Sequence, residues 1–381
     1  MIYFDNSATT KPYKEVLDTF IQVNEHFYAN PASIHEAGVE ANDLLDRARS
    51  QVAQILKTDD YSVLFTGGGT ESNNFAIFGV TKANTHKGKH LITTEIEHAS
   101  VLESFKALEK EGFEVDYLQV DENGVISLEE LKRKIRKDTV FVSIMHVNNE
   151  VGSIQPIQEI GRIVHENSRA TFHVDAVQSF GKLPIFFNGE AGPDIISISG
   201  HKIHGLKGSG VIAFRQKINI QPYLLGGGQE FGLRSGTVAV PQAVALSKAA
   251  RIAVEKIEET QAKYKKWHQD LIQFLCKFGQ EIKMLSTELG AGHILSFSVK
   301  DLKGEILINA LQQRGIIVST SSACSSKQKK TSHVVTALNV EKQYKDGVIR
   351  LSFGAFNTET EINQFKVEFA KVMKELKGVN L

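Results

Sequence analysis

The chain has 381 residues, which is long for a single core and predicts two domains. Its 44 basic and 44 acidic residues cancel, so charge gives no argument for binding nucleic acid or an anionic membrane. Its two cysteines, Cys276 and Cys324, exclude a disulfide framework and favour a cytoplasmic protein.

The N-terminal segment reads as folded sequence from Met1 onward, so we expect no signal peptide. No apolar run approaches the roughly 18 residues of a membrane span. Residues 3–10 predict a short strand and a polar turn, and apolar residues recur at helical spacing over 16–27. A second helix is predicted to end near Lys57, with Ser33 as its candidate N-cap.

A glycine-rich turn follows the predicted strand 63–66. Gly67-Gly68-Gly69-Thr70 opens a helix, and glycine lets the backbone approach an anion that the free N–H groups of the first turn can bind. The turn suits a single phosphate, and its spacing differs from that of a Rossmann fingerprint or a P-loop. An ordinary strand-to-helix turn has the same pattern, so the motif alone leaves both interpretations open.

Strands and helices alternate through the middle of the chain. Strands are predicted at 90–94, 114–120, 140–147, 171–175, 195–199 and 211–214, and helices near 100–110, 128–137 and 158–167. This alternation predicts a mostly parallel sheet that helices cover on both faces.

Lys202 lies in the turn Ser199-Gly200-His201-Lys202, directly after one of these apolar strands. Lysine is rarely buried unless it is paired or covalently engaged. A fixed, partly desolvated amine suits a Schiff base with an aldehyde such as that of pyridoxal phosphate (PLP). A solvated lysine in a surface hairpin fits the turn equally well. His201 and His204 make a poor zinc site, because no cysteine or carboxylate accompanies them.

Asp175 ends the preceding predicted strand, and Gln178 lies just beyond it. A carboxylate against the pyridinium nitrogen keeps that nitrogen protonated and makes the PLP ring an electron sink. Since ligands bind at the carboxyl ends of parallel strands, we expect Asp175 and Lys202 to face the same crevice. The pair favours the cofactor hypothesis over the hairpin.

The C-terminal part of the chain predicts a smaller α+β domain. Residues 239–278 read as one long helical stretch that bridges the domains, with Cys276 as a buried structural thiol. Beyond this stretch, strands at 294–299, 316–318 and 348–353 alternate with helices at 305–313 and 359–376.

Cys324 lies in a polar tract of small residues over 319–332. A cysteine in such a loop contributes little to packing, and Lys327, Lys329 and Lys330 favour its thiolate. It is either a nucleophile on a flexible arm or an incidental surface thiol. Because an exposed free cysteine is a liability, we favour the nucleophile.

Motifs along essentially the whole chain resemble those of the PLP-dependent cysteine desulfurases, class-V aminotransferase-like enzymes of fold type I. The matching segments are 3–10, 30–33, 70–74, 97–98, 145–152, 173–176, 199–202, 234–237, 322–324 and 349–352. The resemblance implies an aspartate-aminotransferase-like α/β fold, with a large domain whose mostly parallel sheet is sandwiched by helices. The implied boundaries are 14–255 for the large domain and 1–13 with 256–381 for the small α+β domain, which carries the cysteine loop 319–332.

The resemblance also implies roles for single residues. Lys202 is expected to form the Schiff base, Asp175 to contact the pyridinium nitrogen, and His98 to stack on the ring and transfer protons. The remaining implied roles are ring-hydroxyl contacts by Gln178 and Asn149, phosphate binding by Gly69, Thr70, Ser199 and His201, a phosphate contact by Thr237 across a homodimer interface, and substrate binding by Arg350 and Asn149. His98 as a helix cap, Arg350 as a surface strand residue and Asn149 as a residue that closes a turn are the structural alternatives. The joint match favours the functional roles of His98 and Arg350, and the alternative stays open for Asn149.

The implied reaction converts L-cysteine to L-alanine. Lys202 removes the α-proton, the ring holds the charge, and the Cys324 thiolate takes the substrate sulfur as a persulfide. The persulfide then passes to an acceptor protein, either an iron–sulfur cluster scaffold or a tRNA-thiolating enzyme, which Cys324 must reach from the pocket.

This sequence departs from the family pattern at two positions. Ser321 stands where the family usually has glycine, and Gly69 replaces a frequent alanine. A selenocysteine lyase or another fold-type-I PLP aminotransferase is the alternative enzyme. A degenerate sulfur-trafficking scaffold is the alternative without chemistry. The presence of Lys202, Asp175, His98 and Cys324 argues against it.

Overall fold

The computed structural model describes residues 1–57, 61–184, 189–320 and 332–379. The strands of these residues are β1 (Ile2–Tyr3), β2 (Tyr61–Thr66), β3 (His90–Thr94), β4 (Glu114–Leu118), β5 (Thr139–Ser143), β6 (Thr171–Asp175), β7 (Ile195–Ser199), β8 (Gly210–Arg215), β9 (Ile282–Met284), β10 (Ile294–Val299), β11 (Ile316–Ile317) and β12 (Val348–Ser352). The helices are α1 (Lys14–His26), α2 (Glu36–Ile55), α3 (Gly69–Ala83), α4 (Ala99–Lys110), α5 (Leu128–Lys134), α6 (Ile157–Asn167), α7 (Val240–Glu255), α8 (Ile257–Cys276), α9 (Gly304–Gln312), α10 (His333–Ala337) and α11 (Glu359–Lys377). None of these helices combines the length and hydropathy that a membrane span requires.

Within the described chain, a seven-stranded sheet has the order β2-β8-β7-β6-β5-β3-β4. Strands β3 to β7 pair in parallel, whereas β8 pairs antiparallel with both β2 and β7. Strands β3, β5, β6 and β7 are buried along their whole length, which is typical of parallel strands with helices on both faces. The prediction of a mostly parallel sheet is confirmed.

Three chain segments that carry predicted site residues meet at one edge of this sheet. Strand β6 ends at Asp175, and its parallel neighbour β7 ends at Ser199 and continues into the 3₁₀ turn Gly200–Lys202. Strand β2 runs in the same direction as β7, because both are antiparallel to β8. Helix α3 follows β2 and therefore starts at this same edge, beside Asp175 and Lys202.

We propose domain boundaries at 14–255 for the large domain and at 1–13 with 256–381 for the small one, and the packing supports them. One apolar cluster joins a face of the seven-stranded sheet to α1, α2 and α7. A second cluster combines Ile2 and Phe4 with side chains of α8, α9, α11 and strands β10 and β12. Strand β1 pairs with β11, so the N-terminus belongs to the C-terminal unit.

The prediction of one continuous helix over 239–278 is wrong. The backbone of Lys256 (φ −102°, ψ 6°) leaves the helical region and separates α7 from α8. Helix α7 packs on α1 and α2, whereas α8 packs on α11 and β9. Because of this break, two consecutive helices pack into different apolar clusters. Local helical propensity does not predict such a break.

Two further local predictions are also wrong. His35, not Ser33, caps α2, because its Nδ1 accepts the backbone N–H of Gly38 at 3.2 Å. Cys276 is exposed rather than buried. The buried side of α8 ends with Leu275 in the last turn, and Cys276, the final residue of the helix, falls outside that face.

Candidate active site

The amine of Lys202 is held by main-chain carbonyls of the N-terminal segment. Nζ donates hydrogen bonds to the carbonyl oxygens of Ser7 (2.5 Å) and Ala8 (2.8 Å). The side chain is half-buried. The structure therefore fixes this amine at the carboxyl edge of the sheet instead of leaving it solvated in a surface hairpin.

The carboxylate of Asp175 lies buried at the same edge. Its Oδ2 accepts a hydrogen bond from Asn73 Nδ2 at 2.8 Å, and its Oδ1 accepts the backbone N–H of Val177 at 2.9 Å. Asn73 lies on α3, one turn after Gly69. The two donors fix the plane of this carboxyl group, so Asp175 is preorganised at the edge of the sheet that also carries Lys202.

His98 lies at the start of α4 and belongs to the same polar network. Its Nδ1 accepts the backbone N–H of Ser100 at 3.1 Å and lies 2.8 Å from the hydroxyl of Ser100. Asn73 Nδ2 also donates to that hydroxyl, at 2.9 Å, and so links His98 to Asp175. His98 thus caps a helix, and at the same time it is tied to the predicted cofactor residues.

The protonation state of His98 follows from its surroundings. Burial lowers its pKa, the negative charge of Asp175 raises it, and the positive charge of Lys202 lowers it, with a net downward direction. The imidazole is therefore neutral near neutral pH. Because Nδ1 accepts hydrogen bonds, the proton of the ring resides on Nε2.

The start of α3 has the features of an anion site. The first turn offers the backbone N–H groups of Gly69 and Thr70, as helix N-termini do. The hydroxyl of Ser199 is buried beside them without a hydrogen-bond partner among the described residues. A Cβ on Gly69 would lie 3.5 Å from the Cβ of Ser199, so the start of α3 packs against the end of β7.

His201 borders this anion site from the turn that also carries Lys202. Its Nδ1 lies 3.2 Å from the hydroxyl of Thr9. Burial and the charges of Lys202 and other lysines lower its pKa to about 4. His201 is therefore a neutral hydrogen-bonding group near neutral pH and adds no charge to the site.

Close packing of two glycines shapes the loop in front of α3. A Cβ on Gly210 would come within 2.6 Å of the Cα of Gly68, so β8 tolerates only glycine there. In the first turn of α3, the Glu71 carboxylate accepts the N–H of Gly67 at 2.8 Å and pairs with Arg234 at 2.7 Å. Arg234 thus compensates the charge of Glu71 at this helix start.

Gln178 and Asn149 differ in what the structure assigns to them. Gln178 is buried and donates from Nε2 to the carbonyl of Ser7 at 2.9 Å, the carbonyl that also binds Lys202. Asn149 is half-buried, and its backbone carbonyl binds Arg350. The turn here is closed by Asn148, whose Oδ1 accepts the N–H groups of the two residues after Asn149, so this structural role does not fall to Asn149.

Arg350 is a buried residue of β12 rather than a surface one. Its exposed fraction is 2%, and its guanidinium pairs with Asp5 at 2.9 Å and donates to the carbonyl of Asn149 at 2.9 Å. Asp5 is the partner that sequence reasoning missed, although the segment 3–10 was among the matching motifs. The pair joins the first strand region to the last strand of the chain.

Of the two remaining predicted residues, one is exposed and the other lies outside the described chain. Thr237 is exposed. Cys324 lies outside the described residues, as does Ser321. The flanks of that segment are described: Ser319 exchanges backbone hydrogen bonds with Arg350 (3.1 and 2.7 Å), and the hydroxyl of Ser332 donates to Glu150 at 2.5 Å. Both flanks therefore attach beside the predicted substrate clamp.

Glu97, the residue before His98, is a buried acid that sequence reasoning did not single out. Its Oε1 accepts the backbone N–H of Met145 at 2.8 Å and the hydroxyl of Thr94 at 3.0 Å. Burial raises its pKa to about 8, and the charge of Asp175 adds to the rise. The folded protein therefore keeps Glu97 protonated at pH values where the unfolded chain releases that proton.

This proton predicts a pH-dependent stability difference between the wild type and Glu97→Gln. Glu97 has its raised pKa only in the folded state, so its contribution to stability is complete below its ordinary pKa of 4.5 and is lost as pH rises to about 8. The variant lacks this loss, so its free energy of unfolding relative to the wild type should rise by a few kcal/mol between about pH 5 and about pH 8, measured by urea denaturation. A difference that stays constant over this interval would contradict the assigned protonation.

Comparison with known proteins agrees with this geometry. The family described as Aminotransferase class-V matches residues 2–365. A cysteine desulfurase IscS from Methanosarcina thermophila is 40% identical over 380 residues, which cover 100% of this chain and 93% of that protein. A solved structure titled "NIFS-LIKE PROTEIN" superposes with a TM-score of 0.91 at 38% identity, covering 98% of this chain and 100% of the other. A second, titled "SspA in complex with cysteine", has a TM-score of 0.81 at 31% identity and covers 94% and 100%.

Proposed function

This chain belongs to the class-V aminotransferase family and to the cysteine desulfurases within it, and we propose that it converts L-cysteine to L-alanine and retains the sulfur as a persulfide on Cys324. The observation that carries the proposal is the meeting of Lys202, Asp175 and His98 at one edge of the sheet. A carboxylate, an amine and a neutral imidazole at one edge of the sheet are the groups that PLP chemistry on an amino acid needs.

Enzymes of this family depend on PLP, and this enzyme is one of them. The described residues fit each part of the cofactor: the amine of Lys202 suits its aldehyde, the carboxylate of Asp175 its ring nitrogen, and the start of α3 its phosphate. The buried, unpartnered hydroxyl of Ser199 gives that phosphate a further donor. When bound, the cofactor ring takes up the electron pair that the α-carbon of the substrate releases.

Each protein group then has a defined task. The Lys202 amine would hold the aldehyde of the cofactor and, when free, would act as the base that removes the α-proton of the substrate. The carbonyls of Ser7 and Ala8 hold that amine in reach. Neutral His98 would supply its Nε2–H for proton transfer at the cofactor, and Asn73 links it to Asp175 through Ser100.

Arg350 is the proposed clamp for the substrate carboxylate. Its planar guanidinium already pairs with Asp5 at one nitrogen and with the carbonyl of Asn149 at another. These contacts orient the fork and reduce the rotamer entropy that substrate binding would otherwise cost. Asp5 must share the guanidinium with the incoming carboxylate.

Arg350→Lys should therefore raise the KM for L-cysteine about 10- to 100-fold, the loss expected when a two-donor clamp becomes a single ammonium. The visible absorbance of the bound cofactor should stay unchanged, since Arg350 lies on the substrate side. Steady-state kinetics and an absorbance spectrum of the same preparation measure both. Arg314→Lys, which alters an arginine paired with Glu375 at the surface, is the matched control. An unchanged KM in Arg350→Lys would contradict the clamp.

The sulfur step balances without an external oxidant or reductant. The Cys324 thiolate bonds to the substrate sulfur while the carbon–sulfur bond breaks. The electron pair of that bond stays on the β-carbon, which takes a proton and becomes the methyl group of alanine. The flanks of the Cys324 segment are anchored beside Arg350 and Glu150, which supports delivery of this thiolate to the clamp.

We also propose a homodimer in the cytoplasm that passes the persulfide sulfur to an acceptor protein, either a cluster scaffold or a tRNA-thiolating enzyme. Thr237 is exposed, and the large apolar side chains of Leu225 and Phe231 are exposed in the same loop region, at 86% and 66%. A partner subunit that covers this region would bring Thr237 to its phosphate. Size-exclusion chromatography with light scattering would measure the assembly.

The test of the proposed function is a product assay on the purified, PLP-loaded protein. With L-cysteine and a thiol reductant, but no keto acid, we expect alanine and sulfide in equal amounts. Dependence on a keto acid would show an aminotransferase instead. A strong preference for selenocysteine in kcat/KM would show a selenocysteine lyase, and no turnover of either substrate would leave only a binding scaffold.

A further inference from the structure

Lys182 is a buried lysine at the edge of the site that neither the sequence motifs nor the proposed reaction accounts for. It follows β6 in the chain, and its Nζ donates a hydrogen bond to Oε1 of Gln178 at 3.2 Å. The other end of that amide, Nε2, donates to the carbonyl of Ser7 at 2.9 Å. The same carbonyl accepts from Lys202 at 2.5 Å. A continuous chain of contacts therefore runs from Lys182 through Gln178 to the reactive amine.

The surroundings of Lys182 do not compensate its charge. Among the described residues, the charged and titratable groups around it are Lys202, His201 and His204 on the turn after β7, His293 before β10, and Lys256 between α7 and α8. The phenols of Tyr13 and Tyr264 line the same cavity. Among the described residues that line its cavity, none is a carboxylate. Burial and the charge of Lys202 lower its pKa to about 7. Apolar replacements of buried charges are often neutral or stabilising, so stability alone does not explain a lysine here.

The chemistry of the two groups fixes the orientation of the amide. An ammonium group has only donors, and a main-chain carbonyl has only acceptors. Gln178 bridges Lys182 and Ser7 only if its oxygen faces Lys182 and its NH₂ group faces Ser7. The flipped amide would set two donors against each other at one end and two acceptors at the other. Lys182 and the Ser7 carbonyl thus both favour the same one of two orientations that have nearly the same shape.

We propose that Lys182 is a positioning residue that holds the amide NH₂ of Gln178 toward the cofactor pocket, where it donates to the ring oxygen of PLP. The inference rests on the proposed function, since it assigns Gln178 an acceptor on the bound cofactor. A donor at the ring oxygen favours its anionic form. Removal of Lys182 leaves the Ser7 carbonyl as the remaining one of the two contacts that orient the amide. The amide then turns in part of the molecules, which replaces that donor with an acceptor and disfavours the anion.

The experiment is a pH titration of the visible absorbance of the PLP-loaded protein. In Lys182→Met we expect the midpoint of the spectral transition to rise by about one pH unit, and the dissociation constant for PLP, from equilibrium dialysis, to rise about tenfold. Lys182→Arg keeps a donor and should restore both values. In a Gln178→Ala background, Lys182→Met should cause no further shift, because Lys182 acts through the amide.

These measurements distinguish an effect of Lys182 through Gln178 from a general effect on the structure. An unchanged midpoint in Lys182→Met overturns the inference, and so does an equal shift in the Gln178→Ala background, since that would show a direct effect of charge. Gln178→Glu provides a test that leaves Lys182 in place: it keeps an oxygen for Lys182 but has no N–H, so an unshifted midpoint in this variant also overturns the inference. If the wild type binds no PLP, the proposed function fails instead.

Discussion

Lys202→Ala should abolish the visible absorbance of the cofactor on the protein and lower the desulfuration rate by about three to four orders of magnitude, the upper range for a positioned acid–base group. The amine lies on two carbonyls at the end of β7, 2.5 Å from that of Ser7 and 2.8 Å from that of Ala8. Lys202 is the proposed site of covalent attachment and also the proposed base, so the variant loses both. Absorbance spectra and single-turnover alanine formation measure the two losses.

Borohydride reduction gives the attachment site directly. It should fix the cofactor to the wild type as a stable amine, and peptide mass mapping should find the label on Lys202. Lys207→Ala, which removes an exposed lysine of the same loop, is the matched control and should retain the label, the absorbance and the rate. A label on Lys182, or a Lys202→Ala protein that keeps the visible band after dialysis, would refute the assignment of the anchor.

Cys324→Ala should retain the cofactor and bind L-cysteine, but form neither alanine nor a protein persulfide above the background rate. The expected loss in turnover is about a thousandfold or more, because the variant lacks the nucleophile that accepts the sulfur. The spectral change on mixing with L-cysteine should persist, since Lys202, Asp175 and Arg350 are intact. Stopped-flow absorbance follows the early steps, and mass spectrometry detects the persulfide as one added sulfur.

Cys276→Ala is the matched control for this experiment. Cys276 is the exposed final residue of α8, on the surface of the proposed small domain, and it has no place in the proposed chemistry. Its replacement should change neither the rate nor the amount of persulfide on the protein. Full turnover in Cys324→Ala, or a persulfide that maps to Cys276, would show that the sulfur is accepted elsewhere.

A buried hydrogen-bond network centred on Asn73 lies behind the site. Asn73 donates to both Asp175 and Ser100, and Ser100 contacts His98, so the two groups that we propose to flank the cofactor ring share one amide. Asn73 was part of a quoted motif but had no assigned role, because a helical asparagine one turn after a glycine carries no distinctive signal. Only the approach of α3 to β6 and α4 shows its function as a link.

The amino-acid pattern alone determined much of this protein. Alternating apolar segments predicted the parallel sheet, and the ends of β6 and β7 predicted that Asp175 and Lys202 would meet, because side chains at the carboxyl ends of adjacent parallel strands share one edge. These inferences succeed because each depends on the periodicity within one element or on the pairing of two neighbouring strands. The motifs along the chain then identified the family.

Only the tertiary structure decided the contacts between distant segments. The ion pair of Asp5 with Arg350, the carbonyls of Ser7 and Ala8 on Lys202, and the bond from Lys182 to Gln178 depend on how separate elements pack. The break between α7 and α8 and the exposure of Cys276 have the same origin, since a helical pattern shows which side chains share a face but not which neighbour that face meets. Packing free energy depends on contacts between segments that are distant in sequence, so the local sequence pattern does not predict it.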